Sequence, residues 1–328
     1  MDRRVQYFKK QNDRVICNIC PNNCSLSEGK SGICGVRHVK DGELYAANYG
    51  EISSLSIDPI EKKPLFNYKP GSNILSCGSY GCNFKCGFCQ NYTISQYKPS
   101  TEYISPESMV EKSLELKDRG NIGLAFTYNE PFMLYEYMLD TAKLCKQNDL
   151  DVVVVTNGFV NLEPLEEILP YVDAMNIDLK SFNDKFYREV CKGSLEPVLR
   201  NIERASKSCH VELTTLLITG YNDSIEEMEE ITDWVSSLDR RIPLHLSRYF
   251  PAYEFTAPPT DIDRMVSLAE IAKRKLDYVY LGNVGNMDDN SYCPSCGNLV
   301  VERQGYSSKL VNMSDICENC GKKLNIVI

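Results

Sequence analysis

The stretch SCGSYGCNFKCGFCQNY, residues 76–92, holds Cys82, Cys86 and Cys89 in the spacing C-x3-C-x2-C, with Cys77 five residues upstream of the first. Three thiolates spaced this way in one loop can converge on a single centre, and soft sulfur donors select iron–sulfur or zinc. Gly81 and Gly87 let the backbone curl around such a centre. A tetrahedral structural zinc takes four protein ligands, and the nearest spare is Cys77, at the end of a β-branched run. The loop therefore reads either as a zinc knuckle completed by Cys77 or as a three-thiolate iron–sulfur site with one open coordination position.

Outward from this loop, short β-branched runs alternate with amphipathic segments of ten or so residues. Candidate strands are NILSC (73–77), IGLAFTY (122–128), DVVVVTN (151–157), AMNIDL (174–179), HVELTTLLI (210–218), PLHLSRY (243–249) and YVYLG (278–282). Helix punctuation lies between them: Ser105-Pro106 opens a helix that Gly120 closes, and Ser224 with Glu227 forms a capping box ahead of another. Repeated strand–helix units imply parallel strands joined by right-handed crossovers. With no G-x-G-x-x-G after the first strand, an α/β fold of partial (β/α)6 TIM-like barrel type is expected over a doubly wound sheet. In such barrels the chemistry sits at the C-terminal ends of the strands.

The chain has 328 residues, 43% of them hydrophobic, and a net charge of −9. That is enough to bury a full core. Lys and Arg are scattered among acids, so the footprint of a phosphate-backbone binder is missing and no nucleic-acid partner is expected. The charged N-terminus and the lack of any apolar run of about 18 residues point to no export and no membrane, hence a cytoplasmic protein.

In a reducing compartment, fifteen cysteines speak for metal sites before disulfides. Besides the loop there are two quartets. Cys293, Cys296, Cys317 and Cys320 form the paired knuckles of a zinc ribbon, for zinc or iron. Cys17, Cys20, Cys24 and Cys34, in the spacing C-x2-C-x3-C-x9-C, form a closed site for which zinc and an auxiliary 4Fe-4S cluster both remain open. The expected organisation is an N-terminal four-cysteine metal-binding module (1–65), a barrel (66–286) and a zinc-ribbon module (287–328). Cys145, Cys191 and Cys209 stand alone and read as ordinary small side chains.

The loop GCNFKCGFCQN resembles the signature of radical S-adenosylmethionine (SAM) enzymes, with Phe88 as the aromatic before the last cysteine, and especially that of the pyruvate formate-lyase activating enzyme class. CNICPNNC, YGEISSLSIDPIEKKPLFNYKPGS, FTYNEP, TNGF, MNIDLKSF, LEPVLRNI, TTLLITGYND and PLHLSRYFP extend the likeness to the AmmeMemoRadiSam system radical SAM enzyme family. That resemblance implies that Cys82, Cys86 and Cys89 hold a 4Fe-4S cluster whose open iron chelates SAM. One electron then cleaves SAM, and the resulting 5'-deoxyadenosyl radical abstracts hydrogen. It also implies SAM-binding roles for Asn129, Glu130, Thr156, Asn157, Asp178, Lys180 and His245, a flavodoxin- or ferredoxin-type reductant, anaerobic operation, a small-molecule or protein substrate, and Memo-like and AMMECR-like partners. The alternatives are an activase that installs a glycyl radical, weakened by Gln90 where activases commonly carry His, and a non-catalytic iron–sulfur or zinc scaffold.

Overall fold

The computed structural model describes residues 2–285 and 287–328. Eight strands form one sheet in which spatial order follows chain order: β1 (Ser54–Pro59), β2 (Asn73–Gly78), β3 (Asn121–Phe126), β4 (Asp151–Thr156), β5 (Ala174–Asp178), β6 (His210–Leu217), β7 (Leu244–Arg248) and β8 (Val279–Gly282). Strands β2 to β8 are parallel, and β1 runs antiparallel to β2. The connecting helices are α1 (Pro106–Glu115), α2 (Tyr135–Gln147), α3 (Leu162–Ile168), α4 (Glu196–Ser206), α5 (Ile225–Asp239) and α6 (Ile262–Lys273). Six strand–helix units plus a seventh parallel strand, wound in one direction, make the expected barrel-type sheet. A doubly wound sheet would reverse its winding partway. Among the described residues β1 and β8 are the sheet's two edges, so the barrel is open.

The period-2 geometry of a strand explains how a wholly apolar run is used. In β4, Val152 and Val154 join the core beneath the helices, while Val153 and Val155 pack on the concave face. Ile60, Leu65 and Tyr68, from the segment after β1, meet Ile74, Ala125, Val153 and Ala174 there and fill the interior. That segment is clamped by the buried Glu212 carboxylate on β6, which accepts from the backbone N–H groups of Phe66 (3.0 Å) and Asn67 (2.7 Å). With the interior filled, the open cavity lies at the C-terminal ends of the strands.

The expected helix signals hold with one change. Ser105 caps α1 by accepting from Ser108 N–H, and Ser224 caps α5 by accepting from Glu227 N–H. Glu227 does not close a reciprocal box, however. Its carboxylate accepts from Ser181 Oγ and Phe182 N–H, bracing the loop after β5.

The N-terminal residues were expected to stand as a module. Val5, Val15, Ile19, Leu26 and Val36 belong to the same apolar core as the helix layer, and Ser54–Pro59, inside the stretch 1–65, supplies an edge of the sheet. Residues 291–310 form a three-stranded antiparallel sheet over a separate small core of Cys293, Val300, Val301, Cys317, Leu324 and Ile326. It is tied to the barrel through Arg303 Nη2, which donates to Phe66 O at 2.5 Å, and Val327 N–H, which donates to Asn67 O at 2.8 Å. The expected exit from the barrel, 285–291, includes Asn286, which lies outside the described residues.

Candidate functional site

A cavity of about 490 Å³ opens where β2 to β7 end, and Cys82, Cys86, Phe88, Cys89, Asn129, Glu130, Thr156, Asn157, Asp178 and Lys180 all line it. Residues spread over almost 100 positions of sequence meet because each follows a parallel strand at the same end of the sheet. Cys77 is not among them. It pairs in register with Phe126, is 1% exposed, and belongs to the core beneath the helices with Cys145. Strand alternation thus turns Cys77 away from the loop it nearly adjoins.

The three loop thiols share features that suit an iron–sulfur cluster. Burial pushes Cys82 well above the ordinary thiol range, and a hydrogen bond with Cys191 followed by burial does the same for Cys86. Buried thiols of this kind ionise only around a cationic centre. Donors are already aimed at the sulfurs: Phe84 N–H (3.4 Å) and Asn157 Nδ2 (3.7 Å) at Cys82, and Ser95 and Asn91 at Cys89. Such N–H···S contacts tune clusters. A fourth thiol, Cys191, hydrogen-bonds to Cys86 but does not line the cavity, where among the described residues the three loop thiols stand without a further cysteine. Three sulfur donors and one open position result, which fits a 4Fe-4S cluster that keeps an iron for a ligand.

Glu130 lies at the head of the cavity's polar wall, 3% exposed. Its carboxylate accepts from Thr156 Oγ1 (2.7 Å), Asn157 N–H (2.9 Å) and Phe132 N–H (3.1 Å). Burial outweighs these donors and pushes the carboxyl up to about 7. It is therefore oriented but short of a positive partner, as a receptor for an ammonium would be. Thr156 and Asn157 both bond to Glu130, and the Asn157 side chain also donates to the cysteine loop. Asn129 uses both ends of its amide to tie strand ends together, accepting from Ser79 N–H (2.9 Å) and donating to Gly81 O (3.0 Å).

Lys180 Nζ pairs with Asp178 Oδ2 at 2.7 Å and lies 5.9 Å from the centre of the Phe88 ring. Burial works against its charge, yet Asp178 and the thiols Cys86 and Cys191 hold it well above the ordinary lysine range. His245 is placed elsewhere. It lines a second cavity, of about 570 Å³, and its Nε2 lies 2.6 Å from Glu212 Oε2 while His210 Nε2 lies 3.0 Å from Oε1. These bonds hold the Glu212 carboxyl at about 2, although burial alone would raise it. The two cavities share Lys62, Thr214 and Ser247.

Two features escaped the sequence reading. Asp58, at the end of β1, binds Lys62 (2.9 Å), Lys63 (2.8 Å) and the Tyr128 hydroxyl (2.6 Å), and Tyr128 holds a left-handed backbone with φ of 73°. A non-glycine residue adopts that conformation at a cost, met here by Asn91 Nδ2 donating to Tyr128 O at 2.8 Å. The doublet Lys62-Lys63 was the available signal, but its partner Tyr128 is remote in sequence. Cys191, beside Cys86, carried no spacing signal at all.

At the C-terminal end of the chain, Cys293, Cys296, Cys317 and Cys320 place their sulfurs within 4.8 Å of one another. Cys293–Cys320 and Cys296–Cys317 are 3.6 and 3.7 Å apart, against about 3.8 Å for two thiolates on one tetrahedral zinc with Zn–S bonds near 2.3 Å. Side-chain hydrogen bonding from Asn319 brings the Cys296 thiol down to about 6. The quartet fits a single tetrahedral ion.

Comparison with known proteins agrees with this geometry. Residues 77–235 match the Radical SAM superfamily. The chain is 42% identical over 338 aligned positions to the Methanocaldococcus jannaschii protein MJ0808, covering 99% of this chain and 100% of that one. It is 24% identical to the 4-hydroxyphenylacetate decarboxylase activating enzyme of Clostridium scatologenes, over 70% of this chain and 67% of the relative. Among solved structures, a radical SAM methyltransferase from Sphaerobacter thermophilus superposes with a TM-score of 0.52 at 14% identity, over 91% of this chain and 81% of that one, a likeness of fold alone. The fold thus implies a 4Fe-4S cluster and SAM, and the chain belongs to the radical SAM superfamily, in one family with MJ0808 and with glycyl-radical activating enzymes among its homologues.

Proposed function

We propose that this chain binds a 4Fe-4S cluster on Cys82, Cys86 and Cys89, binds SAM against it, and abstracts hydrogen from a substrate held beside it. The observation that carries this reading is that the three thiols, Glu130 and the Asp178–Lys180 pair line one cavity. When bound, the cluster supplies the electron that breaks the sulfonium C–S bond of SAM and releases a 5'-deoxyadenosyl radical. The chain's own residues do the placing. Glu130, fixed by three donors, receives the SAM ammonium. Lys180, kept charged by Asp178, answers negative groups near Phe88, and Thr156 and Asn157 hold Glu130 and the cysteine loop in register.

The substrate chamber we assign is the second cavity, walled by Phe66 and His245 and roofed by Arg303 and Tyr306 of the C-terminal sheet. Its volume of about 570 Å³ supports a small molecule or a short segment as substrate. The likeness to AmmeMemoRadiSam system enzymes supplies Memo-like and AMMECR-like proteins as partners and a low-potential flavodoxin or ferredoxin as reductant. A second reading, activation of a glycyl-radical enzyme, is favoured by the activating-enzyme relatives. Anaerobic incubation of reconstituted protein with SAM and reductant is expected to yield 5'-deoxyadenosine by mass spectrometry, and a complete lack of it overturns the proposal. A glycyl radical appearing on a partner by electron paramagnetic resonance (EPR) would select the second reading.

A further inference from the structure

The N-terminal quartet lies apart from the cavity, and its thiols take no part in the reading above. Cys17, Cys20 and Cys34 are buried, Cys24 is half-buried, and all four are free of disulfides. Every pair among the four lies within electrostatic range. Yet no three of these sulfurs lie within 4.8 Å of one another, whereas the C-terminal four do. A single tetrahedral ion holds its thiolates about 3.8 Å apart. A cubane, in which each thiolate binds a different iron, spreads them wider. The quartet is thus closed in composition and too open for one metal.

Its surroundings carry donors. The backbone N–H groups of Ile19, Asn22 and Ile33 point at Cys17, Cys20 and Cys24. Arg37 is 0% exposed and lies within electrostatic range of Cys17 and Cys34. Its two Nη atoms are taken by Glu136 at 3.1 and 2.8 Å, while its Nε has no partner. A buried guanidinium N–H left unpaired is costly, and sulfur of a bound cluster would satisfy it.

The quartet also abuts the loop of Cys82. Asn22, between Cys20 and Cys24, donates from Nδ2 to Asn83 O at 2.9 Å. Gly81, with φ of 88°, has no room for a Cβ, which would fall 2.7 Å from Cys34 O. Both contacts reach a residue next to Cys82 in the chain.

We propose that Cys17, Cys20, Cys24 and Cys34 hold a second 4Fe-4S cluster that passes electrons to the cluster at Cys82, Cys86 and Cys89. One electron from a low-potential protein donor takes the N-terminal cluster from the 2+ to the 1+ state. Its transfer returns that cluster to 2+ and reduces the other to 1+, with no proton moved and no bond broken. The relay role rests on the proposed function, whereas the cluster's presence does not.

The test is metal content and EPR of the full chain reconstituted anaerobically with ferrous iron and sulfide. Wild type is expected to hold about eight irons, and C20S/C24S about four, still with a signal that SAM perturbs. The complementary C82A/C86A variant is expected to keep about four irons and a signal indifferent to SAM, so the result does not depend on one variant folding. Wild type with about four irons and a second zinc overturns the assignment, as does C20S/C24S with undiminished iron. The rate with flavodoxin divided by the rate with a small chemical reductant is expected to fall by an order of magnitude in C20S/C24S, and an unchanged ratio overturns the relay.

Discussion

Replacing Glu212 by Gln removes the charge that ties three parts of the molecule together: the 66–67 segment through two backbone N–H groups, β6 through His210, and β7 through His245. The carboxyl sits at about 2 in the fold against 4.5 for a free glutamate, and that depression corresponds to about 3 kcal/mol favouring the folded anion. Breaking one side of a buried, hydrogen-bonded charge network costs a similar amount, about 3–5 kcal/mol. A Gln amide would also set its NH2 against a donor already in place. With roughly 2.1 cal/mol/K of unfolding entropy per residue, 3 kcal/mol lowers the thermal midpoint by roughly 4 °C. A depressed carboxyl lends stability above its unfolded pKa and loses it as pH falls from 4.5 toward 2, so the penalty for Glu212→Gln should be full at about pH 5.5 and shrink as pH falls toward about 3. Anaerobic calorimetry of both proteins across that range is the assay. A midpoint within about 1 °C of wild type at about pH 5.5, or a penalty undiminished toward about pH 3, would refute the reasoning.

Cys77→Ala is expected to keep a cluster that responds to SAM, at a stability cost of about 1 kcal/mol, whereas Cys86→Ala loses it; iron content and EPR distinguish them, and equal loss in both would restore a ligand role for Cys77. Glu130→Gln, which removes the charge offered to the SAM ammonium, should weaken SAM binding by about 1.5–3 kcal/mol, read as a tenfold or greater shift in the SAM titration of the cluster signal. Cys317→Ser should release one metal ion per chain and raise hydrogen exchange across residues 291–310 and at Lys69, whose N–H donates to Val327 O at 2.8 Å. Unchanged exchange at Lys69 would show that the C-terminal module is not needed to hold that segment.

The barrel was legible because its signals are local. The seven parallel strands fall within a residue or two of the β-branched runs, and Ser105 and Ser224 cap the helices their sequence announces. The cysteine loop announced itself by its spacing and Glu130, Asp178 and Lys180 by the family resemblance, and the converging strand ends bring them to one cavity. What escaped depends on contacts between distant residues. His245 was expected to face SAM, but the carboxylate in HVELTTLL draws it into a buried network; a glutamate inside an apolar strand was the clue. Likewise, the spacing of the N-terminal cysteines could announce a metal site but not that its core is continuous with the barrel's.

The central claim is an open coordination position that SAM fills. EPR of the one-electron-reduced protein, recorded with and without SAM, tests it most directly. The account predicts that SAM alters the signal of the cluster at Cys82, Cys86 and Cys89, and that Glu130→Gln blunts the change. A reduced cluster whose spectrum is indifferent to saturating SAM would contradict it and leave an electron-transfer scaffold in its place.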